Sequence, residues 1–134
     1  MSNEQYFNDA GAGQKHSDLC HYSQAVVFGD VAKCSGQGGW DTTGNVDADD
    51  VAGQVELAFE NVDRVLQAAG FRGWEDVYLM RTYHVDIGTS FDLTVKKLKS
   101  RIPHRPVWTA IGVPRLAFPP MQIEIEVEAR KQSA

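Results

Sequence analysis

The chain has 134 residues, 43% hydrophobic and 23% charged, which suffices for one core and falls short of two domains. With 13 Lys+Arg against 18 Asp+Glu the formal charge is −5, no cationic cluster stands out, and the electrostatic footprint of a nucleic-acid partner is missing. Twelve glycines and 5 prolines exclude collagen-like and low-complexity chains, no apolar run approaches the ~20 residues of a membrane span, and Cys20 and Cys34 are too few for a disulfide scaffold.

Residues 1–18 carry no apolar period and read as a loose arm, followed by one domain over 19–131 and a short tail at 132–134. Met1 to Gln14 is polar and offers no secretory segment, so a reducing, cytoplasmic setting is expected. Tyr22 to Phe28 reads as a strand closed by Gly29-Asp30, and Val31 to Ser35 as its hairpin partner. Gly36 to Asn45 is dense in turn formers and reads as a long loop. Asp49 or Asp50 can cap a helix in which Val51, Val55, Ala58, Phe59, Val62, Val65, Leu66 and Ala69 share one face and Gly70 closes the end. Asp76 to Val85 is a third strand and Ser90 to Ser100 a second helix, with Phe91, Val95 and Leu98 inward. Pro103 and Pro106 bar a helix before the strand Val107 to Val113. Met121 to Ala129 alternates strictly. The order β-β-α-β-α-β-β predicts a single α+β domain, a mixed sheet with two helices on one face.

On the last strand Ile123, Ile125 and Val127 share one side and Glu124, Glu126 and Glu128 the other. If both helices cover the isoleucine side, the glutamate side is left open. Its expected neighbours, Tyr78, Met80 and Thr82 on one strand and Val107, Thr109 and Ile111 on another, are partly apolar. A half-apolar second face is commonly closed by further subunits, so oligomerisation is expected. Carboxylates held there gain a raised pKa suited to proton transfer.

The combination of Tyr22-Ser23-Gln24-Ala25-Val26, Ser35-Gly36-Gln37, the helix end Leu66-Gln67-Ala68-Ala69-Gly70, Asp76-Val77 through Asp86, Val113-Pro114-Arg115-Leu116 and Ile123 to Ala129 resembles the YjgF/Rid (reactive intermediate deaminase) family. The resemblance implies a chorismate-mutase-like fold, a barrel-like homotrimer with ligand clefts between subunits, and hydrolysis of 2-imino acids or their enamines without metal or organic cofactor. It assigns Glu124 to orienting the attacking water, and Tyr22 and Ser35 to the ligand cleft. Where the family carries a substrate-clamping arginine, this chain has Trp108 within Pro106-Val107-Trp108-Thr109, and an indole donates one hydrogen bond but no charge.

The candidate site is therefore Glu124 as the acid–base group, with Tyr22, Ser35, Trp108, Arg115 and Trp40 as ligand-binding residues. Trp108 is read as an aromatic wall, the alternative being core packing. Trp40 in the Gly-rich loop is read as a lid, the alternative being an anchor. Arg115 and Arg105 are the cations nearest the missing guanidinium. Arg81, mid-strand, calls for a partner such as Glu124 or Glu126. No His, Asp or Cys cluster has zinc or iron spacing, so neither metal nor cofactor is expected. The leading expectation is a deaminase-like hydrolase acting on a small imine or enamine. A non-catalytic small-molecule-binding trimer is the alternative, and a ribonuclease or translation inhibitor is disfavoured by the acidic charge.

Overall fold

The computed structural model describes residues 3–132. A seven-stranded mixed sheet is built from β1 (Gln5–Phe7), β2 (Ala25–Phe28), β3 (Val31–Cys34), β4 (Gln37–Gly38), β5 (Val77–His84), β6 (Val107–Gly112) and β7 (Ile123–Arg130), in the spatial order β1-β2-β3-β7-β5-β6, with β4 beside β7. Three helices complete it, α1 (Ala12–Cys20), α2 (Val51–Ala68) and α3 (Ile87–Arg101). Among the described residues the only parallel pair is β5 with β6, joined through α3 as a parallel crossover requires; the other pairs are antiparallel. The expected α+β order is thus present from residue 25 onward.

α2 forms where its apolar spacing predicts. The Asp50 carboxylate accepts the Gly53 amide at 2.9 Å as its cap, and Gly70, at φ 89°, follows its end. Its buried stripe of Val55, Phe59, Val62 and Leu66 packs on the β7 side that carries Ile123, Ile125 and Val127, all fully buried. Trp74, also fully buried, stacks on Phe59 at 4.5 Å and donates its indole N–H to the Phe59 carbonyl, closing the core below α2.

Residues 3–18 are not a loose arm. β1 adds a strand to the sheet edge, and α1 is held to the domain by polar anchors, with Ala12 and His16 turned inward. The Asp9 carboxylate accepts the Gly11 and Gly13 amides at 2.9 and 3.3 Å. The buried Gln24 side chain accepts the Asp9 amide and donates to Gln37, and Asn8 Oδ1 accepts the Gln24 backbone amide. Gly13 is required there, since a Cβ would sit 1.9 Å from Gln24 Oε1. The expected long loop likewise begins with the short strand β4.

The two sheet faces differ from expectation at one strand. Met80 and Thr82 oppose Val127 and Ile125 and are fully buried on the helix side. A bulge between Val77 and Leu79 turns Tyr78 and Leu79 outward together, which is why alternation counted from Tyr78 assigned Met80 and Thr82 to the wrong face. The open face is therefore built from Leu79, Arg81 and Tyr83, from Val107, Thr109 and Ile111, and from the three glutamates of β7.

Candidate functional site

Three carboxylates line the open side of β7, and their surroundings separate them. Glu126 accepts the Tyr83 hydroxyl at 2.6 Å. Glu128 accepts the Tyr78 hydroxyl at 2.8 Å and pairs with Arg81 at 3.5 Å, so the partner of Arg81 is Glu128 and neither of the two expected glutamates. Glu124 is different: among the described residues no donor reaches its side chain. Burial holds its carboxyl above the usual carboxylate range, and the charge of Glu126 adds to the effect.

The backbone shapes the place where Glu124 lies. β3 and β4 run in line along β7, and Ser35-Gly36 interrupts them. The Glu124 side chain fills the space a side chain at Gly36 would need, with Oε1 1.8 Å from where that Cβ would be. Gly36 is thus a seat for the carboxylate. Ser35, next to the seat, donates its hydroxyl to the Gln24 carbonyl at 3.3 Å. Tyr22 is half-buried, and its phenol is pushed above its ordinary value by burial first and by the nearby charges of Cys20, Glu124 and Asp9 after that. Tyr22, Ser35 and Glu124 are therefore gathered into one region.

Trp108 is not part of that region within a single chain. It opposes Met80 across the parallel pair and so lies on the helix-covered side of the sheet, stacked on Phe91 of α3 at 5.1 Å and 12°. A directed chain of hydrogen bonds fixes it. Ser90 Oγ donates to the Asp86 carbonyl at 3.1 Å, and so accepts from His84 Nδ1 at 2.6 Å. That leaves His84 Nε2 to accept from the Thr82 hydroxyl at 2.7 Å, and Thr82 Oγ1 to accept the Trp108 indole N–H at 2.9 Å. This polarity requires a neutral imidazole, and burial lowers the His84 pKa accordingly.

Trp40 is no lid. It is 3% exposed and packs with Ala12 and Met121 in a small second core, edge-on to His16 at 4.7 Å, because the segment after β4 folds under α1 rather than over the open face. Arg115 lies exposed in the connection from β6 to β7, and among the described residues it makes no ion pair. Cys34 is buried and its thiol is pushed up to about 12 by burial, which makes it a packing group, whereas Cys20 is exposed. Among the described residues no helix is long and apolar enough to cross a membrane.

The family model described as Endoribonuclease L-PSP matches residues 14–131. The RutC family protein YjgH of Escherichia coli K12 is 38% identical over 111 residues, covering 81% of this chain and 82% of that protein. A solved structure of protein YjgH superposes with a TM-score of 0.84 at 30% identity, over 99% of this chain and 100% of the other. The structure of Escherichia coli TdcF with bound serine gives a TM-score of 0.72 at 28% identity, over 83% and 88% of the two chains. The loop seat, the glutamate strand and the α3–β6 crossover all fall inside the matched span, and the chain belongs to the YjgF/Rid family, the Endoribonuclease L-PSP family of the matching model.

Proposed function

We propose that the protein is a hydrolase of small imines or enamines, releasing ammonia and a carbonyl product, with Glu124 as its acid–base group. The observation that carries this reading is the contrast along β7: two glutamates are tied up by tyrosines, while the third, on the Gly36 seat, has no donor and a raised pKa. As a carboxylate, Glu124 takes a proton from water as the water oxygen adds to the C=N carbon. That proton passes to nitrogen, giving a carbinolamine; Glu124 then takes the proton of the added hydroxyl and delivers it to nitrogen as the C–N bond breaks, so that C=N plus water becomes C=O plus ammonia. A base whose pKa is raised toward the working pH suits both halves of that transfer.

The open face carries Val107 at 65% exposure, Ile111 at 37% and Tyr78 at 40%, alongside paired charges. Copies of the chain closing over this face, as a homotrimer, account for that apolar surface and complete a cleft around Glu124. The acidic face disfavours an RNA substrate, whose phosphates call for cations.

The test generates 2-iminobutyrate or 2-iminopropionate in situ and follows 2-keto acid formation with wild-type protein and with Glu124→Gln. Acceleration by the wild type and loss of about 100-fold or more in the variant is the expected result for a positioned acid–base group. An intact oligomer that binds but gives no acceleration, or an active Glu124→Gln, overturns the reading. The first outcome supports a small-molecule-binding trimer.

A further inference from the structure

We infer that the groove between α3 and the edge strand β6 binds a small organic acid with an apolar body, Arg105 clamping its carboxylate and Trp108 forming its wall. The groove lies on the helix side of the sheet, opposite the face that carries Glu124, and as a binding site it stands apart from the imine-hydrolase reading. The groove has a volume of about 470 Å³, within the usual range for small-molecule sites. Val95 and Leu98 of α3, Ile102 just after its end and the Trp108 ring give it apolar walls, and the exposed cations Lys99 and Arg105 border it.

Two features make this more than an apolar hollow. The indole is held in one orientation by the directed chain from Ser90 through His84 and Thr82, and Phe91 backs it, so the wall is preorganised. The second is charge. Arg105 also borders a neighbouring hollow that contains Asp30, Glu75 and Asp76. Each of those acids already has an arginine of its own: Arg130 for Asp30, Arg101 for Glu75 and Arg72 for Asp76. Among the described residues Arg105 forms no ion pair, which leaves its planar fork for a carboxylate brought in by a ligand. The cation absent from position 108 is thus supplied three residues earlier in the chain, next to an aromatic surface.

The test uses phenylacetate and its uncharged amide, phenylacetamide, titrated calorimetrically and by indole fluorescence into the intact protein, Arg105→Gln, Trp108→Phe and Glu124→Gln. Phenylacetate is expected to bind about tenfold to a hundredfold tighter than the amide, the range for a charge-assisted hydrogen bond. Arg105→Gln should erase that difference, Trp108→Phe should remove the fluorescence change, and Glu124→Gln should leave binding as it was. Equal affinity for acid and amide, an affinity indifferent to Arg105→Gln, or no binding of either overturns the inference, whatever the imine assay shows. Arg105-dependent binding by a wild type that hydrolyses no imine upholds the groove and rejects the hydrolase.

Discussion

Replacing Gly36 by alanine tests the seat of Glu124 without touching its carboxyl group. The new Cβ would lie 1.8 Å from Oε1, 2.4 Å from Cδ and 2.5 Å from Cγ of Glu124, and ordinary contact begins near 3.4 Å, so Oε1 must retreat by 3.4 − 1.8, about 1.6 Å. Displacement of a reacting group by about 1 Å can cost about a hundredfold in rate. The cost to the fold is small by comparison. Gly36 is not among the glycines with positive φ, so alanine gains about 0.4–1 kcal/mol from the stiffer unfolded chain. Driving Glu124 off its rotamer costs about 0.5–1.5 kcal/mol. The two nearly cancel, and Tm should move by no more than a few degrees. Gly36→Ala is therefore expected to lose about a hundredfold in imine hydrolysis while melting close to wild type, read by keto acid formation and by calorimetry on the same sample. A variant with a near-normal Tm and activity within a few-fold of wild type refutes the assignment of Glu124 as a positioned acid–base group.

Other expectations follow from individual contacts. Because the folded pKa of Glu124 is raised, the folded state binds more protons than the unfolded chain between the ordinary carboxylate range and that raised value, and this group's contribution to stability falls as pH rises through the window. Glu124→Gln should accordingly melt higher than wild type near neutral pH, with the gain vanishing in acid; a gain that instead grows as pH falls contradicts the raised value. Thr82→Val removes both the acceptor of the Trp108 N–H and the donor to His84, leaving two buried polar groups without partners, at about 1–3 kcal/mol each. Urea titration should show that loss, and Trp108 emission should change with it. A thiol reagent should modify Cys20 at once and Cys34 only on unfolding, and equal rates at the two sites in native protein would show the burial of Cys34 to be misjudged.

The parts of the fold legible in the sequence are those held by apolar periodicity. α2 was readable because its apolar residues recur at helical spacing, and β7 because its isoleucines and glutamates alternate. That alternation also singled out the face on which Glu124 lies. α1 was not readable, since Asn8, Asp9 and Gln24 hold it through hydrogen bonds that leave no hydrophobic period. The side of the sheet that Trp108 takes depends on its register opposite Met80 in a parallel pair, and the bulge at Tyr78 depends on pairing with β7; neither is written in local sequence. Trp40 misled because turn formers around it suggested an exposed loop, whereas Ala12 and Met121, distant along the chain, enclose it.

β7 lies between β3 and β5, so the middle of the sheet is the last strand to be synthesised. While the ribosome is still translating the segment before it, the hairpin of β2 and β3 and the β5–α3–β6 unit can form locally, but they share no ladder and α2 has only part of a surface to lie on. A nascent chain stalled before Ile123 therefore exposes two strand edges that the native molecule joins, a state prone to pairing with other chains. Removing the C-terminal strand takes out the keystone rather than trimming a margin, and fusions placed directly after Arg130 must leave that insertion free to occur.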